Sequence, residues 1–257
     1  MTELKAKGLS FSYGKHKVLS DVGFAPIAPG SLTALIGPNA AGKSTLFRLI
    51  AGLLRSETGA VHLGETDLAS LPTRERLKRV CFMPQFFTAN AALTVFDVVM
   101  MAHKQLRGWR VSEADMRAVG QALDLAGIGH LAEAYVSELS GGQSQMVSVA
   151  QALIRKSDVY LFDEPTSALD LRHQLQVLGQ IKSAMAARGA IGMVALHDLN
   201  LAARFADHLV LIGQGRVLAQ GSPGEVLRST AISETYGVDI EISTGPREDL
   251  LVHAYAS

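Results

Sequence analysis

Three short stretches carry residue types whose spacing suits phosphate chemistry. The first is Gly37-Pro38-Asn39-Ala40-Ala41-Gly42-Lys43-Ser44-Thr45, which fits G-x-x-x-x-G-K-[ST]. Such a loop aims backbone N–H groups and a helix dipole at one anion. Lys43 then reaches the β/γ-phosphates and the Ser44 hydroxyl ligates Mg²⁺. The plainer alternative is a glycine turn that merely joins strand to helix. The second stretch is Asp163-Glu164, two carboxylates directly behind the apolar run Val159-Tyr160-Leu161-Phe162. Neighbours on a strand point to opposite faces, so the two can divide the work. Asp163 suits the metal, and Glu164 suits a general base on the attacking water. A structural alternative has both capping the next helix, but desolvating two carboxylates without a use is costly. The third is His197, at the end of another apolar strand, read either as a helix-start residue or as a contact to the γ-phosphate or the water beside Glu164.

These residues need a scaffold of alternating strands and helices. Ser31–Ile36 reads as a buried strand leading into the loop, and Leu46, Leu49, Ile50 and Leu53 recur at helical spacing behind it, with Gly52 near the helix end. Leu4–Leu9 and Val18–Phe24 are strands about the turn Tyr13–Lys17, and Tyr13 is either a base-stacking aromatic or a plain edge residue. Gly59–Gly64 and Arg79–Met83 are further strands, the latter stopped by Pro84 with Gln85 behind it. From residue 86 to about 157 the signals are helical. Thr94-x-x-Asp97 and Ser112-x-x-Asp115 mark helix starts, and Ser140-Gly141-Gly142-Gln143 opens another. Arg107–Arg110 reads as an exposed turn. Leu171, Leu175, Leu178, Ile181 and Met185 form one face of a long helix. Ile191–Leu196 is a strand, Leu209–Ile212 and Arg216–Ala219 form a hairpin, and Ser222-Pro223-Gly224-Glu225 starts a helix. Residues 228–257 read as a short helix and strands without an evident task. The fold class is α/β with a largely parallel sheet.

Composition narrows the field. Lys+Arg and Asp+Glu are both 24 in 257 residues. That balance argues against a nucleic-acid-coating surface, and no nucleic-acid partner is expected. Hydrophobic residues make up 48%, yet no run reaches the roughly 18 uninterrupted apolar residues of a spanning helix. The start has no charged-then-apolar signal pattern. Cys81 is the single cysteine, so no internal disulfide forms, and a reduced cytosolic setting with partner proteins is expected.

Together these stretches resemble the nucleotide-binding subunit of ABC transporters over residues 1 to about 225, because Leu139-Ser140-Gly141-Gly142-Gln143 matches the family's LSGGQ signature. The resemblance implies a P-loop NTPase (RecA-like) core with an antiparallel β subdomain and an inserted helical subdomain. It implies one domain over 1–257, with core and β subdomain in 1–85 and 158–225, a helical signature subdomain in 86–157, and a C-terminal extension in 226–257. The cofactors implied are ATP and Mg²⁺. Tyr13 becomes the base-stacking aromatic, Gln85 the Mg²⁺ and coupling glutamine, and His197 the switch histidine. Ser140, Gly141, Gly142 and Gln143 contact nucleotide across an ATP-dependent dimer, and the loop Ser167–Asp170 touches the second copy.

Within the family, Ser167–Gln174, His197–Ala203, Ala206–His208 and Gly221–Leu227 resemble the importer branch serving iron–siderophore, haem and cobalamin uptake, and look most like siderophore importers. That branch implies membrane permease subunits, an indirect link to a substrate-binding protein, and a place on the cytoplasmic face of the inner membrane. Phe86, Phe87, Met100 and Met101 are candidates for permease contact or for helical core. Soluble ABC ATPases of DNA maintenance, translation or cluster assembly are the competing class, and a small-molecule kinase a third. Coiled-coil heptads or a second cassette would favour DNA or translation roles, and the chain has neither. Four positions depart from the family: Ala40 replaces a common loop glycine, Ser144 and Met146 stand where basic residues often follow the signature, and Gln151 replaces a frequent arginine.

Overall fold

The computed structural model describes residues 2–85, 92–104, 108, 110–246 and 249–256. Two long strands, β1 (Leu4–Tyr13) and β2 (His16–Ile27), form a hairpin, and β3 (Leu32–Ile36) runs into helix α1 (Lys43–Ile50). Then come β4 (Thr58–Leu63), the short β5 (Thr66–Asp67), α2 (Thr73–Arg79) and β6 (Val80–Met83). A helical stretch follows, with α3 (Val95–Lys104), α4 (Glu113–Leu125) and α5 (Gly141–Ile154). The chain returns through β7 (Val159–Asp163), α6 (Leu171–Arg188), β8 (Ile191–Ala195) and α7 (Leu199–Phe205). It ends with β9 (His208–Gly213), β10 (Arg216–Gly221), α8 (Pro223–Leu227), α9 (Thr230–Tyr236), β11 (Val238–Thr244) and β12 (Leu250–Ala256).

The central sheet has strand order β10-β9-β3-β8-β7-β6, parallel throughout except for the edge strand β10. Every residue of β3, β7 and β8 is buried, as expected of parallel strands covered on both faces. A second, antiparallel sheet has the order β2-β1-β4-β5. Alternation along the strands sorts side chains between two cores. Leu35, Leu161, Met193 and Val210 meet Phe47 and Ile50 of α1 and the antiparallel sheet. Ala34, Ile36, Tyr160, Phe162 and Leu211 face α3, α4, α5, α6 and α9 instead. The alternation puts Asp163 on the face of Leu161, towards α1.

Local chemistry sets the helix starts. Ser112 with Asp115, Ser140 with Gln143 and Ser222 with Glu225 all form reciprocal capping boxes, and Thr94 and Asp97 exchange the same pair of bonds. Two expected apolar positions differ. Helix α1 closes at Ile50, Gly52 turns the chain at φ +69°, and Leu53 lies beyond the helix, exposed. Leu171 is also exposed, because Asp170 caps α6 and puts Leu171 in a first turn that overhangs the core. The buried stripe of α6 is Val177, Leu178, Ile181 and Met185, with Leu175 partly buried against it. Helix α2 and β5 were not anticipated. Arg107 and Trp109 of the expected turn, with Phe86 and Phe87, lie outside the described residues.

Candidate active site

The phosphate loop leaves the carboxyl end of β3, where ligands bind in open α/β sheets. Gly42 caps α1 at φ +102°, and a Cβ there would sit 2.6 Å from Leu19 Cδ2. Ala40 adopts φ +61°, a left-handed conformation that a Cβ disfavours. Lys43 is buried and its Nζ donates to the carbonyls of Gly37 at 2.6 Å and Pro38 at 2.9 Å. Burial pushes its ammonium below the ordinary lysine value, while the charges of Glu164 and Asp163 pull it back up. The lysine therefore clasps its own loop, close to the two carboxylates.

Ser44 Oγ donates to Asp163 Oδ1 at 3.0 Å. This contact joins α1 to β7 and follows from the alternation that turns Asp163 towards α1. Asp163 is only 2% exposed. Burial raises its carboxyl above the usual range, against the Ser44 hydrogen bond, and Glu164 adds to the rise. The Ser44 hydroxyl, the Asp163 carboxylate and the Gln85 amide oxygen are oxygen donors of the kind a Mg²⁺ ion takes when phosphates and water complete its shell. A desolvated carboxylate with a raised pKa fits that assignment, since a cation beside it would favour its charge.

Glu164 leaves the strand with φ +52°, an uncommon backbone for a side chain of this size and one that calls for surrounding support. Gln85 Nε2 donates to Glu164 Oε2 at 2.6 Å, and His197 Nε2 bonds Oε1. Gln145 Nε2 reaches the Glu164 carbonyl at 3.1 Å, as does Ser167 Oγ at 3.2 Å. Register explains the convergence, because β6, β7 and β8 are adjacent and parallel, so Gln85, Glu164 and His197 leave one edge of the sheet together. The arrangement holds a carboxylate where it can take a proton from water, beside the Ser44–Asp163 pair and the loop that carries Lys43. Gln145 was missed, since nothing in its sequence setting distinguishes it from an ordinary buried helix residue.

Other expected site residues stand apart from this cluster. Tyr13 ends β1, is 45% exposed, packs edge-on against Phe11 with centroids 4.8 Å apart and lies 3.5 Å from Arg48 Nη1. Ser140 and Gln143 cap α5 between themselves, and a Cβ on Gly142 would sit 3.1 Å from the Ala168 carbonyl of the same chain. Among the described residues, no hydrogen bond links Ser140–Gln143 to the phosphate loop. Asp170 caps α6 by accepting from the His173 N–H, the main cause of its lowered pKa, and also bonds His173 Nδ1 at 2.8 Å. Of the departures, Met146 is buried in the core, where a charge would be costly, and Gln151 Nε2 ties α5 to the Val98 carbonyl of α3.

Known proteins resemble this chain in sequence and in fold. The sequence matches the ABC transporter family over residues 19–167. It is 34% identical over 250 residues to the iron(3+)-hydroxamate import ATP-binding protein FhuC of Bacillus subtilis, covering 96% of this chain and 92% of that one. It is 38% identical over 244 residues to the hemin import ATP-binding protein HmuV of Thermobifida fusca, covering 95% and 85%. Among solved structures, an ATP-binding subunit of an ABC transporter superposes with a TM-score of 0.78 at 29% identity, covering 92% of this chain and 98% of that one. A dimeric post-hydrolysis ATP-binding cassette bound to ADP and Pi gives 0.77 at 26% identity, covering 86% and 98%. With a buried phosphate-loop lysine, a Ser44–Asp163 pair and a carboxylate poised beside them, this chain belongs to the ABC transporter family as an ATP-binding subunit that hydrolyses ATP.

Proposed function

We propose that this ATPase drives an importer of iron chelates, most like an iron–siderophore complex, through separate membrane permease subunits at the cytoplasmic face of the inner membrane. The observation that carries the catalytic part is Glu164, with Gln85 on one carboxylate oxygen and His197 on the other. Glu164 is the general base, His197 orients it, and Lys43 leaves the loop carbonyls to bind phosphates. Ser44, Asp163 and Gln85 would hold Mg²⁺, which would supply charge neutralisation to the phosphates. Tyr13 stacks on the base. Gly37, Pro38, Asn39, Ala40, Ala41, Gly42 and Thr45 shape the phosphate cradle.

The nucleotide is shared between two copies, with Ser140, Gly141, Gly142 and Gln143 of one copy closing over the phosphate loop of the other, and Asp170 lying at the contact. Support comes from the signature start itself, a capped helix N-terminus whose Ser140 and Gly141 are exposed and which, among the described residues, makes no hydrogen bond to its own phosphate loop. A groove of about 440 Å³ beside Gln85, lined by Pro84, Leu93, Met101 and Gln151, suits a docking helix of the permease. Met101 lines it and is exposed, whereas Met100 is buried and belongs to the helical core. No helix among the described residues is long and apolar enough to cross a membrane; the transport path is assigned to separate subunits, with any substrate-binding protein engaged only through them.

The iron-chelate cargo rests on the import activities for which relatives matching most of this chain are named, with haem and cobalamin as the other cargoes to test. Uptake of labelled ferric siderophore, haem and cobalamin, with and without this subunit, decides among them. Loss confined to ferric siderophore is the expected result. Unaltered uptake of all three, with no membrane protein co-purifying, would remove the import reading and leave a soluble ABC ATPase.

A further inference from the structure

Residues 228–256 enter none of the roles above, yet α9 ends against the phosphate loop. Strand β3 pairs in parallel with β9, Ile36 opposite Leu211, so the chain leaving β3 runs beside Ile212 and Gly213. At Gly37 a Cβ would sit 2.1 Å from the Ile212 carbonyl oxygen. At Gly213 a Cβ would sit 3.0 Å from Thr235 Cγ2, on the last turn of α9. The first residue of the loop and the end of α9 therefore converge on a single peptide of β9.

Tyr236 is the next residue. Its ring packs against the core, and its hydroxyl oxygen is buried with no hydrogen-bond partner among the described residues. The Gly37 N–H lies near enough to oppose the burial that pushes this phenol up to about 12, though not in hydrogen-bonding geometry. The phenol thus stays neutral at physiological pH. A buried hydroxyl left unpaired is destabilising, and a modest shift of a nearby donor removes the penalty. The loop has a reason to shift, because Lys43 Nζ is bonded to the carbonyls of Gly37 and Pro38 and must release both to reach a phosphate chain.

We propose that Tyr236 is a positioning residue for the phosphate loop: its hydroxyl pairs with the Gly37 N–H when the loop takes up triphosphate, so that the C-terminal segment stabilises the loaded loop. This rests on the reading that the loop binds ATP phosphates. The phenol does not touch the nucleotide. It favours one of two loop arrangements and so acts on affinity rather than on the chemical step.

The test compares the full-length wild type, Tyr236→Phe and Lys43→Ala, measuring ATP affinity by direct binding, steady-state hydrolysis, and nucleotide-free melting temperature. Tyr236→Phe keeps the ring and removes one oxygen. The expected result is three- to tenfold weaker ATP binding, a matching rise in KM, an unchanged kcat, and a melting temperature that is unchanged or higher. This opposition of signs separates the proposal from a packing role. ATP affinity within twofold of wild type would overturn it, and so would a drop in nucleotide-free melting temperature, which means the hydroxyl is already paired in the empty protein. Unaltered ATP binding by Lys43→Ala would instead remove the underlying phosphate-loop reading.

Discussion

Gln85 and Glu164, 79 positions apart, meet at 2.6 Å through an amide-to-carboxylate hydrogen bond. The bond joins the loop behind β6 to the loop behind β7. Through Gln85 it also connects the Glu164 carboxylate to the chain that enters the helical stretch. Movement of that stretch against the sheet would therefore reach Glu164 by one covalent segment and one hydrogen bond.

Glu164→Gln is the direct test of the general base. An amide can still accept the Gln85 hydrogen bond but cannot take a proton from water. ATP affinity is expected to stay within about twofold, and hydrolysis to fall about a hundredfold or more. Near-normal turnover in a steady-state phosphate-release assay would rule out Glu164 as base.

Much of this site was legible because its parts have local signatures. The phosphate loop has glycines at fixed offsets, β7 is an apolar run ending in carboxylates, and the α5 start is a capping box. Assembly was less legible. The meeting of Gln85, Glu164 and His197 depends on the order β8-β7-β6, and Gln145 reaches Glu164 from a helix whose sequence reads simply as apolar. The C-terminal segment was silent for the same reason. Tyr236 gains meaning only beside Gly37, and Asn200 only because its side-chain amide brackets Val252, accepting its N–H at 2.8 Å and donating to its carbonyl at 3.3 Å. Exposure of Leu53 and Leu171 marks the related limit, since apolar periodicity does not say where a helix starts or stops.

Asp163 illustrates a conflict between stability and function. Its carboxyl is raised by burial, so protonation favours the folded state. The penalty for its charge grows as pH rises from the unfolded value through the raised folded value, and it is fully present above both. Asp163→Asn removes that penalty and keeps an acceptor for Ser44. The nucleotide-free variant is expected to melt higher than wild type at neutral pH, with the difference shrinking as pH falls from the raised folded value towards the ordinary carboxylate value and vanishing below it. Mg²⁺-dependent hydrolysis should be lost. A lower melting temperature at neutral pH would show that the charge is net stabilising.

Ala40 offers a test of strain in the loop. Its φ of +61° costs a residue with a Cβ about 1–2 kcal/mol relative to a right-handed conformation, and glycine does not meet that cost. Ala40→Gly should raise stability by up to about 1 kcal/mol, after allowing for the larger unfolded-state entropy of glycine. Chemical denaturation of the nucleotide-free protein measures it. Clear destabilisation would mean the alanine methyl makes packing contacts worth more than the strain.

The shared nucleotide site predicts complementation between two defective copies. Ser140 caps its own helix, but Ser140 and Gly141 are exposed, which leaves the signature start accessible to a second copy. Consider a Lys43→Ala chain mixed with a Ser140→Arg chain. If each ATP lies between the phosphate loop of one copy and the signature of the other, a mixed dimer has one doubly defective site and one intact site. If both motifs act within a single chain, each site carries one defect. Mixing should therefore restore occlusion of about one ATP per dimer in the shared arrangement. Occlusion is the better readout, because hydrolysis can require both sites together. The parents are measured alone and then combined, with mixed dimers verified by differential tagging. Verified mixed dimers that trap no more ATP than either parent would show that the site is complete within one chain.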